Sequence, residues 1–256
     1  MKNLLILALA LVATGLFADP QADSLMKKSL GRPSPQDLTA TSTMTITDRN
    51  GVVKVRKMAE VSKETAEGTK SFSEFLEPAD VNGTKFLTVS KKGSDTDQRI
   101  YLPALKKVRK ISSSGKDGDF MGSDLNYFDM EKHYFEDAAY TLASAEETLD
   151  LPAAQGLKLA KVVSTPTEKG APYSKTITWI DANTGLSYKT ECYDKNGSLL
   201  KVITIDAYKT IKTFNFPVKT TVKNIQKGST TVMTLENIVV ESGVKDSDVS
   251  VKRLEQ

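Results

Sequence analysis

Tight-turn signals recur at short intervals along this chain, and they dictate a fold of short antiparallel strands. They are Asp48-Arg49-Asn50-Gly51, Asn82-Gly83, Asp117-Gly118, Asn183-Thr184-Gly185, Asn196-Gly197 and Lys227-Gly228. Asn-Gly and its relatives supply the positive φ angles that hairpin turns require. Between the turns lie segments rich in Thr, Val, Ile and aromatics, as strands prefer. They include Thr39–Thr47, Gly51–Val61, Lys85–Lys91, Ser174–Asp181, Leu186–Tyr193, Leu199–Tyr208, Val218–Gln226 and Thr230–Glu241. In Thr43-Met44-Thr45-Ile46-Thr47 the apolar residues fall on one face and the threonines on the other, and Thr176-Ile177-Thr178-Trp179-Ile180 begins the same way. Such alternation predicts an antiparallel sheet buried on one side.

Helix signals are few. Ala22 to Leu30 has apolar residues at Ala22, Leu25, Met26 and Leu30 before Gly31 and Pro33 stop it. Ser123 or Asp124 is placed to cap a short helix through Asp129 or Met130, and another turn is predicted from Ser247. No repeat and no long polar linker divides the chain, so one domain over 19–256 is expected. So few helical residues cannot blanket ten or more strands. The expected fold class is therefore mainly β: a single domain whose strongly curved antiparallel sheet wraps on itself, with short helices across its mouth. That shape leaves an apolar concavity suited to a ligand.

The first 18 residues read as a cleavable secretory signal peptide. Lys2 is the only charge before Asp19, Leu4 to Val12 is an unbroken apolar run, and small residues lead to Ala18. Cleavage is expected after Ala18, although Leu16 is an imperfect residue three positions from the cut. No Cys lies near it, so the product is expected to be exported without an N-terminal lipid.

Several function classes are excluded by counting. The chain has one His and one Cys, so no His/Cys zinc cage, CxxC pair or internal disulfide can form. Its net charge of +3 gives no nucleic-acid footprint. His133 would have to be the base of any Ser-His-Asp triad, yet no Gly-x-Ser-x-Gly, phosphate-binding glycine loop or His-Glu-x-x-His accompanies it. Cys192 reads as a small buried hydrophobe, the alternatives being a reactive thiol or an intermolecular bridge. Acidic pairs such as Glu146-Glu147 read as solvated. The acidic run from Asp117 to Glu131 does not have the Gly and terminal Glu where a twelve-residue calcium loop needs them. No catalytic residue, metal or cofactor is expected.

Two central segments are more informative. Arg99 to Ile111 reads as a hairpin in which Pro103 opens the turn and the strand resumes at Lys107 or Val108. Its cations Lys106, Lys107, Arg109 and Lys110 are suited either to anionic headgroups or an acidic partner, or simply to discouraging edge-to-edge pairing. The plainer second reading is preferred. The segment from Phe120 to Met130 carries Phe120, Met121, Leu125, Tyr127, Phe128 and Met130, more apolar than a calcium loop, and fits a lid packed into the concavity.

Together these pieces resemble a known family. Pro78-Ala79-Asp80-Val81-Asn82-Gly83-Thr84-Lys85-Phe86-Leu87, then Tyr101-Leu102-Pro103-Ala104-Leu105-Lys106-Lys107-Val108-Arg109-Lys110-Ile111, then Phe120-Met121-Gly122-Ser123-Asp124-Leu125-Asn126-Tyr127-Phe128-Asp129-Met130 are similar to successive signatures of the LolA-like outer-membrane lipoprotein-sorting proteins. Tyr173-Ser174-Lys175 leading to Trp179-Ile180-Asp181, and Tyr193-Asp194-Lys195-Asn196-Gly197 before Leu200-Lys201, fit as well. The similarity runs from about Leu38 to Leu254. The family more often has Arg-Arg at Arg109-Lys110 and Phe or Tyr at Leu125. The resemblance implies an unclosed β-barrel with helices plugging its open side. It also implies a periplasmic carrier of lipoproteins or lipids, held by their acyl chains and passed from an inner-membrane transporter to an outer-membrane acceptor. The alternative is a periplasmic sensing adaptor that partners a membrane regulator or transporter. An enzymatic reading rests only on His133 and Cys192. A monomer is expected.

For a carrier, the candidate cavity lining is Met44, Ile46, Met58, Phe72, Phe75 and Phe86, with Phe120, Met121, Trp179, Phe214 and Phe216. The candidate lid is Phe120, Met121, Gly122, Ser123, Asp124, Tyr127 and Met130. Each lining residue is equally compatible with ordinary core packing.

Overall fold

A computed structural model describes residues 19–168 and 170–256. The signal peptide expected at 1–18 lies outside the described residues. Helix α1 (Pro20–Leu30) is followed by strands β1 (Asp37–Thr47), β2 (Val53–Thr65), β3 (Gly68–Glu77), β4 (Lys85–Ser90), β5 (Asp97–Leu102) and β6 (Lys107–Lys110). After a long connector come β7 (Ala138–Glu147), β8 (Leu159–Pro166), β9 (Lys175–Ile180), β10 (Ser187–Tyr193), β11 (Leu199–Ile211), β12 (Phe214–Asn224) and β13 (Ser229–Val240), then the short helix α2 (Val251–Leu254).

All thirteen strands form one antiparallel sheet in the order β6-β5-β4-β3-β2-β1-β13-β12-β11-β10-β9-β8-β7. Every neighbour is a hairpin neighbour except at the middle, where β1 pairs with β13, Met44 opposite Met233. The free edges are β6 and β7, so the sheet is unclosed, as the resemblance implied. Register shifts in β1, β10 and β11 mark bulges, which bend and twist a strand. Side chains from β8 round to β13 and β1 border a single cavity, so the face they share is the concave one.

The 111–137 connector runs from one free edge to the other and fills part of that concavity. Phe120 and Leu125 pack there against Met44, Ile46, Met58, Phe75, Phe86, Ile100 and Val222. At the other side, α1 lays Ala22, Leu25 and Met26 on Tyr140, Ala160, Val162 and Ile180. The outer face is covered in two places. The Leu149–Leu157 loop covers Leu159, Trp179 and Tyr188, and the C-terminal Val249 and Leu254 cover Phe72 and Leu87.

Two details differ from the sequence expectations. No helix runs from Ser123 to Met130. Single 3-10 turns at Phe120–Gly122 and Phe128–Met130 flank an extended stretch bridged between Asp119 and Asn126. The Asp129 N–H donates to Asn126 Oδ1 at 2.9 Å and the Asn126 N–H to Asp129 Oδ2 at 2.7 Å, the reciprocal bonds of a capping box, so the helical start falls at Asn126 rather than Ser123 and yields only the single turn at Phe128–Met130. Strands β3, β7 and β8 add to those read from sequence, and the Ala- and Glu-rich β7 has little intrinsic strand preference.

Candidate functional site

Between α1 and the connector lies a cavity of about 580 Å³, within the range of roughly 300–1,000 Å³ typical of small-molecule sites. Its floor is the concave face of the sheet: Ser164, Thr176, Thr178, Thr190, Cys192, Ile203, Thr220, Met233 and Leu235. Its walls are Met26 and Leu30 from α1, Leu125, Phe128 and Met130 from the connector, and Tyr134, Tyr140 and Tyr173.

Short floor residues make the space. The hydroxyls of Thr178 and Thr190 bond each other at 3.2 Å across β9 and β10, which satisfies them without a ligand. The tyrosines are also spoken for. Tyr140 donates to the Phe135 carbonyl at 3.0 Å, and Tyr173 donates to Asp129 Oδ1 at 2.6 Å. Burial raises the acid dissociation constant exponent of both phenols, so neither ionises near neutral pH. Burial likewise pushes the Cys192 thiol up to about 12, leaving a neutral, poorly nucleophilic sulfur on the floor. The His133 ring lies tilted against Phe128, with ring centroids 4.5 Å apart. This lining can hold an apolar body.

The Gly122-Ser123-Asp124 signature anchors the connector beside the cavity. Asp124 accepts from Ser229 and, at 2.7 Å, from Thr231 Oγ1 on β13. Lys201, 1% exposed, donates to the Asp124 carbonyl at 2.9 Å and forms an ion pair with Asp129. Asn126 Nδ2 donates to the Tyr173 hydroxyl at 2.9 Å. A buried, mutually satisfied polar cluster of this kind rigidifies what it holds.

Of the residues picked from sequence as cavity lining, none borders the main cavity, and Phe86 borders its smaller neighbour. Met44, Ile46, Met58, Phe75, Phe86 and Phe120 instead fill one another's space, with Met121 against their edge. Phe72 and Trp179 sit in the separate clusters on the outer face. Phe214 and Phe216 contact each other at 6.5 Å. Large side chains fill volume, so choosing by size selects the packed core. Of the lid candidates, Met130 borders the cavity. Phe120, Ser123 and Asp124 are buried, while Met121, Gly122 and Tyr127 lie off the cavity. The segment packs into the concavity, with Leu125, Phe128 and Met130 on the cavity wall. Sequence reasoning missed the threonine floor, although the signal was present: in Thr176-Ile177-Thr178-Trp179 it is the threonine face that lines the cavity.

Helix α1 owes its position partly to Asp19. This side chain accepts from the Leu142 N–H on β7 at 2.8 Å and from the N–H groups of Ala22 and Gln21 at 3.1 Å. Those bonds, the Leu142 one foremost, hold its carboxyl below the ordinary Asp value of 3.8. A lowered folded-state value gives docking stability that is complete above the unfolded value and lost as pH falls through the folded one. Hydrogen-exchange protection of α1 is therefore expected to weaken selectively as pH drops below 3.8, and in Asp19→Asn that acid dependence should disappear. Unchanged acid sensitivity in the variant would contradict the assignment.

Among the described residues no cluster of His, Cys, Asp and Glu is arranged to hold a metal ion. No curated protein matches the chain. A DUF1329 family protein from Desulfovibrio piger matches with a TM-score of 0.84 at 29% identity, over 91% of this chain and 97% of its own. A domain named for outer membrane lipoprotein sorting, from Vibrio parahaemolyticus, matches with a TM-score of 0.85 at 28% identity, over 92% and 98%. A LolA superfamily protein from Nitrosomonas europaea, at 16% identity and a TM-score of 0.71, shares the fold over 91% and 98%. Residues 67–256 match the model of a family described as uncharacterized. With most of its length covered by that match, the chain belongs to this uncharacterized family, and it is similar over nearly its whole length to the DUF1329 protein of Desulfovibrio piger.

Proposed function

We propose that this protein is a non-enzymatic periplasmic carrier that takes acyl chains of lipoproteins or lipids into its concave cavity and moves them towards the outer membrane. The observation that carries the reading is the cavity itself: preformed, floored by threonine and small side chains, and walled by Met26, Leu30, Phe128 and Met130. Each methylene moved from water into such a space is worth about 0.8 kcal/mol. Methionines on both walls suit a site that must accept cargo and release it, since their side chains adapt to varied shapes at little cost. The lipoprotein-sorting name of the Vibrio relative supports lipoproteins as the cargo class.

The direct test is titration of the purified protein with a fluorescent triacylated lipopeptide, with the unacylated peptide as control. Saturable, acyl-dependent binding is expected. Its absence in protein stripped of copurified lipid would remove the carrier reading. Thr178→Phe, which pushes a ring into the cavity, is expected to weaken binding at least about tenfold by excluding two or more methylenes, with the thermal transition little changed. Full affinity in that variant would place the ligand elsewhere.

A further inference from the structure

A second cavity of about 390 Å³ adjoins the first; Ser42, Asp129, Met130, Met233 and Leu235 border both. Its chemistry differs from that of the main chamber. Hydroxyls line it, and four charged side chains reach it: Glu60, Asp129, Glu131 and Lys132. Three of the four are neutralised. Asp129 pairs with Lys201, Glu131 with Lys116 at 3.1 Å, and Lys132 with Glu64 at 2.8 Å. Among the described residues, Glu60 has no cationic partner.

Glu60 stands on the concave face of β2, between β1 and β3. Its Oε1 accepts from Ser42 Oγ at 2.6 Å and its Oε2 from Ser73 Oγ at 2.5 Å. A carboxylate offers about four acceptor sites, so each oxygen retains capacity for a further donor. Burial raises the Glu60 carboxyl above the ordinary Glu value, and the two serine hydroxyls offset this only in part. A second open group faces the same space: the buried Thr88 hydroxyl lacks a hydrogen-bond partner among the described residues. Buried polar groups left this way are costly to a fold unless something else satisfies them.

We propose that this annex is the head-group site of the carrier and that Glu60 binds a protonated amine on an amphiphile whose acyl chain occupies the main chamber. The inference rests on the carrier reading and adds a ligand class to it. The ammonium would donate to the free acceptor sites of Glu60, and Met130 and Met233, which border both chambers, are soft enough to let a chain pass between them. An uncharged head of the same size would leave the carboxylate as poorly compensated as before. An ammonium stabilises the ionised carboxyl that burial alone disfavours, and a carboxylate head would be repelled by that ionised form.

Three probes of equal chain length, dodecylamine, dodecanol and dodecanoate, separate the possibilities when titrated at neutral pH by calorimetry. In the wild-type protein the amine is expected to bind at least about tenfold more tightly than the alcohol, the scale of a charge-assisted hydrogen bond, and the carboxylate most weakly. In Glu60→Gln the amine preference should fall to near unity while dodecanol affinity is unchanged. Glu60→Asp, which keeps the charge but withdraws it by one methylene, should retain part of the preference, and thermal melts check that both variants fold. Equal binding of amine and alcohol by the wild type, or a preference that survives in Glu60→Gln, overturns the head-group assignment and leaves the carrier reading standing. No binding of any probe overturns both.

Discussion

Asp129→Ala is expected to cost about 3–5 kcal/mol of folding stability, the typical loss when one partner of a buried ion pair is removed. The variant leaves the Lys201 ammonium, 1% exposed, without its counter-charge in the sheet interior. It also strips acceptors from the Tyr173 hydroxyl and the Asn126 N–H. Replacing both members of the pair, Asp129→Ala with Lys201→Met, should recover a substantial share, because an apolar side chain needs no partner there. Urea unfolding of the two single variants and the double variant checks this as a cycle. A single-variant loss under about 1 kcal/mol, the range of an exposed pair, would show that the cluster does not anchor the connector.

Phe120→Ala is the second large effect. The ring is buried among Phe86, Phe75 and Tyr127, with centroids 5.0, 6.0 and 5.8 Å away. Truncating a phenylalanine in such a site costs about 3–5 kcal/mol through lost burial and the void left behind. For a domain of this size that lowers Tm by roughly 10 °C. Phe120 does not line the main cavity, so lipopeptide affinity per folded molecule should stay within about twofold of wild type on the same reasoning that ties affinity to buried methylenes. A variant that melts normally yet loses binding would restore this residue to the lid role its sequence suggests.

The contrast between Phe120 and Thr178 shows how unevenly the site could be read in advance. Phe120 invites attention because it is large and apolar in a polar neighbourhood, and for that reason it fills space in the core. Thr178 looks like the solvent face of an alternating strand. Its neighbours Ile177 and Trp179 turn outward under the Leu149–Leu157 loop, which leaves the short threonines to face the chamber. Lys201 and Asp129 were equally hard to assign. They lie 72 residues apart, and each alone reads as an ordinary surface charge. The Tyr101–Leu102–Pro103 hairpin and helix α1 were legible because both depend on groups within a few positions of one another. Proline at 103 opens the single turn at Pro103–Leu105, and Lys106 ends it in the left-handed region at φ 46°.

By itself the sequence determined an antiparallel, hairpin-built sheet with few helices, since turn chemistry and two-residue alternation act between near neighbours. Its motifs also carried the resemblance to LolA-like proteins, whose fold it shares. Only the tertiary structure decided that the first and last strands pair in the middle of the sheet, that the connector spans its two free edges, and which face encloses the chamber. The physical reason is that a cavity is a volume that side chains fail to fill. It is set by elements as distant in the chain as α1 and β13, and no local pattern records what they leave empty.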